Sequence, residues 1–124
     1  MTESLKVRVD RRDGLAVIYT EGYINNQGGE EIALAASRLM EEGYRKLLLN
    51  LEGSRIVNSI GISILIEVLE RMLEVDGSLA FCCLTNTIQK TFHIMGLTQY
   101  AQVFADEEAA MASLQEQGAA PSGG

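Results

Sequence analysis

The stretch KLLLNL at residues 46–51 constrains this chain more than any other. It is an almost unbroken apolar run, whereas a strand with one wet face alternates, so it fits a strand covered on both faces. A second apolar run, SLAFCCL at 78–84, reads as another strand, a candidate for the centre of the sheet. Between the two, residues 59–75 read as a helix with Ile62, Leu65, Ile66, Leu69, Met72 and Leu73 on its inner face. Glu67 and Arg71 are spaced to pair along the outer face. These features predict a sheet with helices packed against it.

The flanking segments extend the pattern. Leu5, Val7 and Val9 alternate with Lys6, Arg8 and Asp10, the period of a half-exposed strand. The turn RRDG then leads into LAVIYTEGYI, which completes a hairpin. Ile32, Ala35, Ala36, Leu39 and Met40 share one face of a helix that Asn25 or Asn26 can cap, that Glu30 and Glu31 suit at its positive end, and that Gly43 stops. TNTIQKTFHIMGL predicts a short helix capped by Thr85 or Asn86, with Ile88, Phe92 and Met95 together and Gly96 at its C-terminal end. A brief strand at QVF precedes Asp106, which caps a last helix carrying Ala110, Met111 and Leu114 inward. The order is β-β-α-β-α-β-α-β-α: an α/β chain with a mixed four- to five-stranded sheet and about four helices. One domain is expected over residues 1–116, with a flexible tail over 117–124, where GAAPSGG is built of small residues.

Composition excludes several functions. The 124 residues suffice for one ordinary domain and carry a net charge of −7, which repels phosphate backbones and disfavours direct nucleic-acid binding. Arg11-Arg12 lies beside Asp10 and Asp13 and reads as turn solvation. The longest apolar segment, 60–73, is interrupted by Ser63, Glu67, Glu70 and Arg71, so no membrane span is expected. The N-terminus has no secretory pattern, and a cytoplasmic location is expected. Adjacent Cys82 and Cys83 read as small buried hydrophobes in a reducing compartment, with redox sensing as the alternative. A mutual disulfide is awkward where neighbouring strand residues point to opposite faces.

No catalytic constellation emerges, and neither enzyme activity nor a cofactor or metal is expected. His93 has no orienting carboxylate or nucleophile close by in the sequence. The pairs Glu30-Glu31, Glu41-Glu42 and Glu107-Glu108 fall on predicted helix exteriors. NNQGG lacks the spacing and the lysine of a nucleotide loop.

What remains is NSIG at residues 58–61, at the start of the central helix. Glycine there weakens the helix by roughly 1 kcal/mol relative to alanine. Ser59 as a simple cap contributes about 0.5–2 kcal/mol. A helix N-terminus also stabilises a phosphate, which adds about −1.5 to −2 of charge, and Gly61 would let another protein approach closely. Ser59 is therefore placed to switch a contact made on Ile60 and its neighbours.

Over about residues 5–114 the chain resembles the bacterial anti-sigma-factor antagonists, the family whose domain is called STAS. EGYINN, KLLLNLEGSRIVNSIGISIL and IQKTFHIMGLTQYAQVFADEEAAMASL carry the resemblance, in order and spacing. It implies a regulatory protein that works by partner switching. The unphosphorylated form binds a kinase-like anti-sigma factor; the kinase phosphorylates the motif serine, here Ser59; and a phosphatase resets it. The implied contact surface comprises Tyr23, Asn25, Asn26, Asn58, Ser59, Ile60, Gly61 and Ile62. Three positions differ from the family's pattern: Asn58 replaces its Asp, Ile60 its second hydroxyl residue, and Asn25 an acidic residue after the second strand. Two alternatives keep the fold. One is an adaptor subunit of a transport or signalling assembly in which Ser59 only caps; the other is a nucleotide or small-molecule module using the helix start as an anion seat.

Overall fold

A computed structural model describes residues 5–119. Its elements are β1 (Lys6–Arg12), β2 (Leu15–Glu21), α1 (Asn26–Glu41), β3 (Lys46–Gly53), α2 (Ser59–Glu74), β4 (Ser78–Cys82), α3 (Asn86–Ile94), a 3-10 turn (Leu97–Gln99), β5 (Gln102–Phe104) and α4 (Glu107–Ala119). The strands form one mixed sheet in the order β1-β2-β3-β4-β5. Only the β1–β2 hairpin is antiparallel; β2 through β5 run parallel. Gly14, at φ +83°, takes the left-handed position of the hairpin turn.

Each parallel step needs a crossover, and right-handed crossovers that advance in one direction leave their helices on the same side. Accordingly α1, α2 and α3 cover one face. Ile32, Ala36 and Leu39 of α1, Ile62, Leu65, Leu69 and Met72 of α2, and Ile88 and Phe92 of α3 share a core with Ala16, Ile18, Leu47, Leu49, Leu51, Leu79 and Phe81. Phe81 and Phe92 meet edge to face, 4.9 Å between ring centres. On the other face, Leu15, Val17, Leu48, Ala80 and Cys82 pack against Ala110 and Leu114 of α4. The continuous apolar run of β3 thus has a direct cause, because its alternate side chains feed two different cores.

Several expectations need revision. The expected element order and mixed sheet are present, with five strands, but β3 rather than β4 lies at the centre, and β4 stands one place from the β5 edge. Val68 joins the inner face of α2, whereas Ile66 is half-buried and Leu73 is 42% exposed. Met95 is exposed rather than packed with Ile88 and Phe92. Glu30 and Glu31 miss the first turn of α1, which contains no acidic residue. Cys83 leaves the strand at φ +66°, so the two cysteine side chains do not diverge as strand neighbours would. Helix α4 continues to Ala119, through the first residues of the expected tail, and positions 120–124 lie outside the described residues.

Candidate partner-binding surface

Strands β2 and β3 end side by side, and the chain beyond them stays paired. Gly22 N–H donates to the Gly53 carbonyl at 3.0 Å, Ile24 N–H to Ile56 at 3.0 Å, and Asn58 N–H back to Ile24 at 3.1 Å. This stitching sets the starts of α1 and α2 next to each other at the C-terminal edge of the parallel strands. Asparagine caps both helices from an extended backbone: Asn25 Oδ1 accepts from Gly28 N–H at 2.9 Å, and Asn58 Oδ1 from Gly61 N–H at 2.8 Å. Asn58 therefore holds the capping role considered for Ser59, because its side chain reaches the third amide of the helix while Ser59 is already its first residue.

Ser59 is exposed at this edge, and its carbonyl accepts the Ser63 hydroxyl at 3.0 Å. Ile60 is 54% exposed and Tyr23 44%, and Asn26 is open to solvent. Asn25 and Asn58 are half-buried by their capping bonds. Two expected contact residues lie beneath the surface instead. Ile62 is only 1% exposed, since it falls on the inner face of α2 and enters the core. Gly61 is buried because the Ile24 backbone crosses directly over it. A methyl group there would collide with the Ile24 carbonyl oxygen and lie 3.1 Å from Ile24 Cγ2. The glycine serves close approach inside the molecule. Nearby, Gly29 lets α1 approach α2, where an added Cβ would sit 3.0 Å from Ile64 Cδ1.

One surface residue escaped the sequence reading. Ile56 is 61% exposed beside the stitched segment, and its signal was a lone isoleucine inside the polar loop EGSRIVN. Tyr23, Ile56 and Ile60 give this edge an apolar character that solvent alone does not favour. Its electrostatics are equally specific. Neither α1 nor α2 carries an acid in its first turn, and both caps are uncharged amides. Two positive helix ends thus meet the same surface with no acid in the first turn of either.

The titratable groups elsewhere serve structure. Arg12, read from sequence as turn solvation, donates to Asp10 at 3.0 Å, to Tyr19 Oη at 2.9 Å and to Glu107 at 2.9 Å. Glu107 also accepts from Tyr19 at 3.0 Å and from Asn50 Nδ2 at 2.9 Å, so it is half-buried against the sheet rather than on the helix exterior. Burial pushes its carboxyl upward, but the bonds from Asn50, Tyr19 and Arg12 outweigh that and hold it below the ordinary glutamate value. Burial, then the bond to Glu107, raises Tyr19. Arg8 stacks over the Tyr19 ring at 4.1 Å. Arg11 makes a two-pronged pair with Glu42, 2.7 Å on each side. His93 is exposed, with Nδ1 3.2 Å from the Thr98 hydroxyl. Among the described residues no cluster of three or more His, Cys, Asp or Glu could hold a metal, and no helix is long and apolar enough to cross a membrane.

Fold and surface together define a small mixed-sheet domain with two helix starts side by side at one edge. The STAS domain family model matches residues 6–110, and the chain belongs to that family. Among its relatives is BtrV of Bordetella bronchiseptica, provisionally assigned as an anti-sigma factor antagonist. It is 25% identical over 109 residues, covering 88% of this chain and 94% of BtrV. An anti-sigma factor antagonist from Mycobacterium paratuberculosis superposes with a TM-score of 0.79 at 18% identity, over 90% of this chain and 95% of that one. SpoIIAA in its unphosphorylated form gives 0.71 at 19% identity, over 89% and 98%. The phosphorylated form of Bacillus SpoIIAA gives 0.70 at 20%, over 88% and 99%. At these identities the solved structures establish a shared fold.

Proposed function

We propose that this chain is an anti-sigma-factor antagonist whose Ser59 edge binds a kinase-like anti-sigma factor inside the cell and whose affinity is switched by phosphorylation of Ser59. The observation that carries the reading is the exposed Ser59 hydroxyl on the first turn of α2, flanked by exposed Ile60 and Tyr23, in a STAS domain. Tyr23, Ile56 and Ile60 make the apolar contact, and Asn25, Asn26 and Asn58 form its polar margin. Gly61 and Ile62 act from below by fixing where the helix start lies. A phosphate on Ser59 adds about −1.5 to −2 of charge to an apolar contact and expels the partner. The modified free protein tolerates it because two helix N-termini converge there, neither with an acid in its first turn, a favourable effect of about 0.3–1 kcal/mol for an exposed anion. Asn58 and Asn25 in place of acids therefore suit a phosphorylated state. A phosphatase would return the protein to its binding form.

Incubation with the cognate anti-sigma kinase and ATP, followed by intact-mass measurement, tests the reading. The expected outcome is a gain of one phosphate that is lost in Ser59→Ala. Stable binding without that gain would sink the switch and leave the antagonist role. Absence of any complex with the anti-sigma factor, in either nucleotide state, would sink both.

A further inference from the structure

Cys82 and Cys83 lie outside this surface, and partner switching makes no use of them. Cys82 ends β4 and is fully buried beneath α4, among Leu48, Ala80 and Ala110. Cys83 follows in the left-handed region at φ +66°, which a residue with a Cβ enters only at a cost of order 1 kcal/mol. In a continued strand the two side chains would project to opposite faces. The left-handed residue instead brings the half-buried Cys83 sulfur to 3.7 Å from the Cys82 sulfur, with both thiols free.

We propose that Cys82 and Cys83 form a redox-active dithiol that closes reversibly to a vicinal disulfide by exchange with a low-molecular-weight disulfide such as oxidised glutathione. Cys83 loses its proton to solvent, and its thiolate attacks one sulfur of the small disulfide. That S–S bond breaks and one small thiolate leaves, so Cys83 carries a mixed disulfide. The Cys82 sulfur then gives up its proton and attacks the Cys83 sulfur, and a second small thiolate departs. The two electrons lost by the protein reduce the oxidant to two small thiols, which take up the two protons. Burial raises the Cys82 thiol far above its ordinary value, which gives the first attack to the more accessible Cys83 and the resolving step to Cys82. Adjacent Cα atoms stand about 3.8 Å apart, closer than the roughly 4.4–6.8 Å usual for a disulfide. The ring is therefore strained and easily reduced, as suits a switch rather than a structural cross-link. Closure also pulls on the turn leading to Thr85, whose hydroxyl caps α3 by accepting from Ile88 N–H at 3.1 Å.

The folded protein, equilibrated at graded ratios of oxidised to reduced glutathione and acid-quenched, tests this by mass measurement. Trypsin releases both cysteines in one peptide, residues 72–90. The expected result is loss of two hydrogens from that peptide, protection of both thiols from alkylation, and full reversal by dithiothreitol. Cys82→Ser should stall as a persistent mixed disulfide on Cys83. Urea-unfolded protein should show a several-fold smaller oxidised fraction at the same ratio, a comparison that needs no variant. A folded protein that remains a dithiol or stops at the mixed disulfide at every ratio overturns the proposal. So does cross-linking between chains instead of ring closure, or equal oxidation in urea, which would assign closure to adjacency in sequence alone.

Discussion

Replacing Gly61 by alanine separates two explanations of a glycine near the start of α2. If its purpose were access for a partner, alanine would improve the helix by about 1 kcal/mol and harm only binding. The structure requires the opposite. The new methyl would overlap the Ile24 carbonyl oxygen and lie 3.0 Å from its carbon and 3.1 Å from Ile24 Cγ2. That carbonyl cannot easily retreat, because it accepts the Asn58 N–H at 3.1 Å and so holds the two helix starts together. Overpacking against a tethered backbone group falls in the upper part of the usual range, about 2–3 kcal/mol. Subtracting the gain in propensity leaves a net loss of about 1–2 kcal/mol, a drop of a few degrees in melting temperature per kcal/mol. Urea titrations followed by far-ultraviolet circular dichroism measure this as a lower midpoint at an unchanged slope. Ser63→Ala is the control. Its exposed hydroxyl bonds back to the Ser59 carbonyl, so alanine should gain a few tenths of a kcal/mol from propensity alone. A Gly61→Ala protein as stable as wild type, or more so, would refute the close-approach argument.

Other outcomes follow from the same geometry. Asn58→Ala should cost about 1 kcal/mol through loss of the bond to Gly61 N–H, whereas Asn58→Asp, which caps equally well, should stay within about 0.5 kcal/mol in the same titration. Ile62→Ala should lose about 2–5 kcal/mol of stability. Ile60→Ala should stay within about 0.5 kcal/mol and show its effect in a pull-down with the anti-sigma factor, through weaker binding. Glu107→Gln should destabilise at neutral pH. The folded Glu107 carboxyl titrates below its ordinary 4.5, so its stabilisation is present above that value and is lost as pH falls through the lower folded one. The gap between wild type and Glu107→Gln should therefore narrow in titrations carried below pH 4.5.

Much of the fold could be read because its causes are local. KLLLNL declared a strand buried on both faces, the hairpin followed from alternation around Asp13-Gly14, and the helix limits near Asn25, Thr85 and Asp106 followed from side chains that cap within one turn. Ser59 and Ile60 stood out because a polar loop there runs directly into an apolar helix. Other features depend on partners far along the chain. Arg12 and Glu107 are 95 positions apart, and each looked like ordinary surface charge until the sheet register and α4 brought them to 2.9 Å. Leu73 and Met95 belong to helical stripes, yet both stay exposed along a groove between α2 and the segment after α3.

By itself, then, the sequence determined the order of elements, the double burial of β3, the residue at the helix start that meets solvent and the family to which the chain belongs. These rest on periodicity, capping and motif spacing, which act within a few residues. The tertiary structure alone decided that Gly61 makes room for the Ile24 carbonyl and that Ile56 joins the exposed apolar edge. It also decided that two cysteine sulfurs face each other. Each of those depends on how segments distant in sequence are stitched together or on a left-handed backbone turn, and neither is written in local hydropathy.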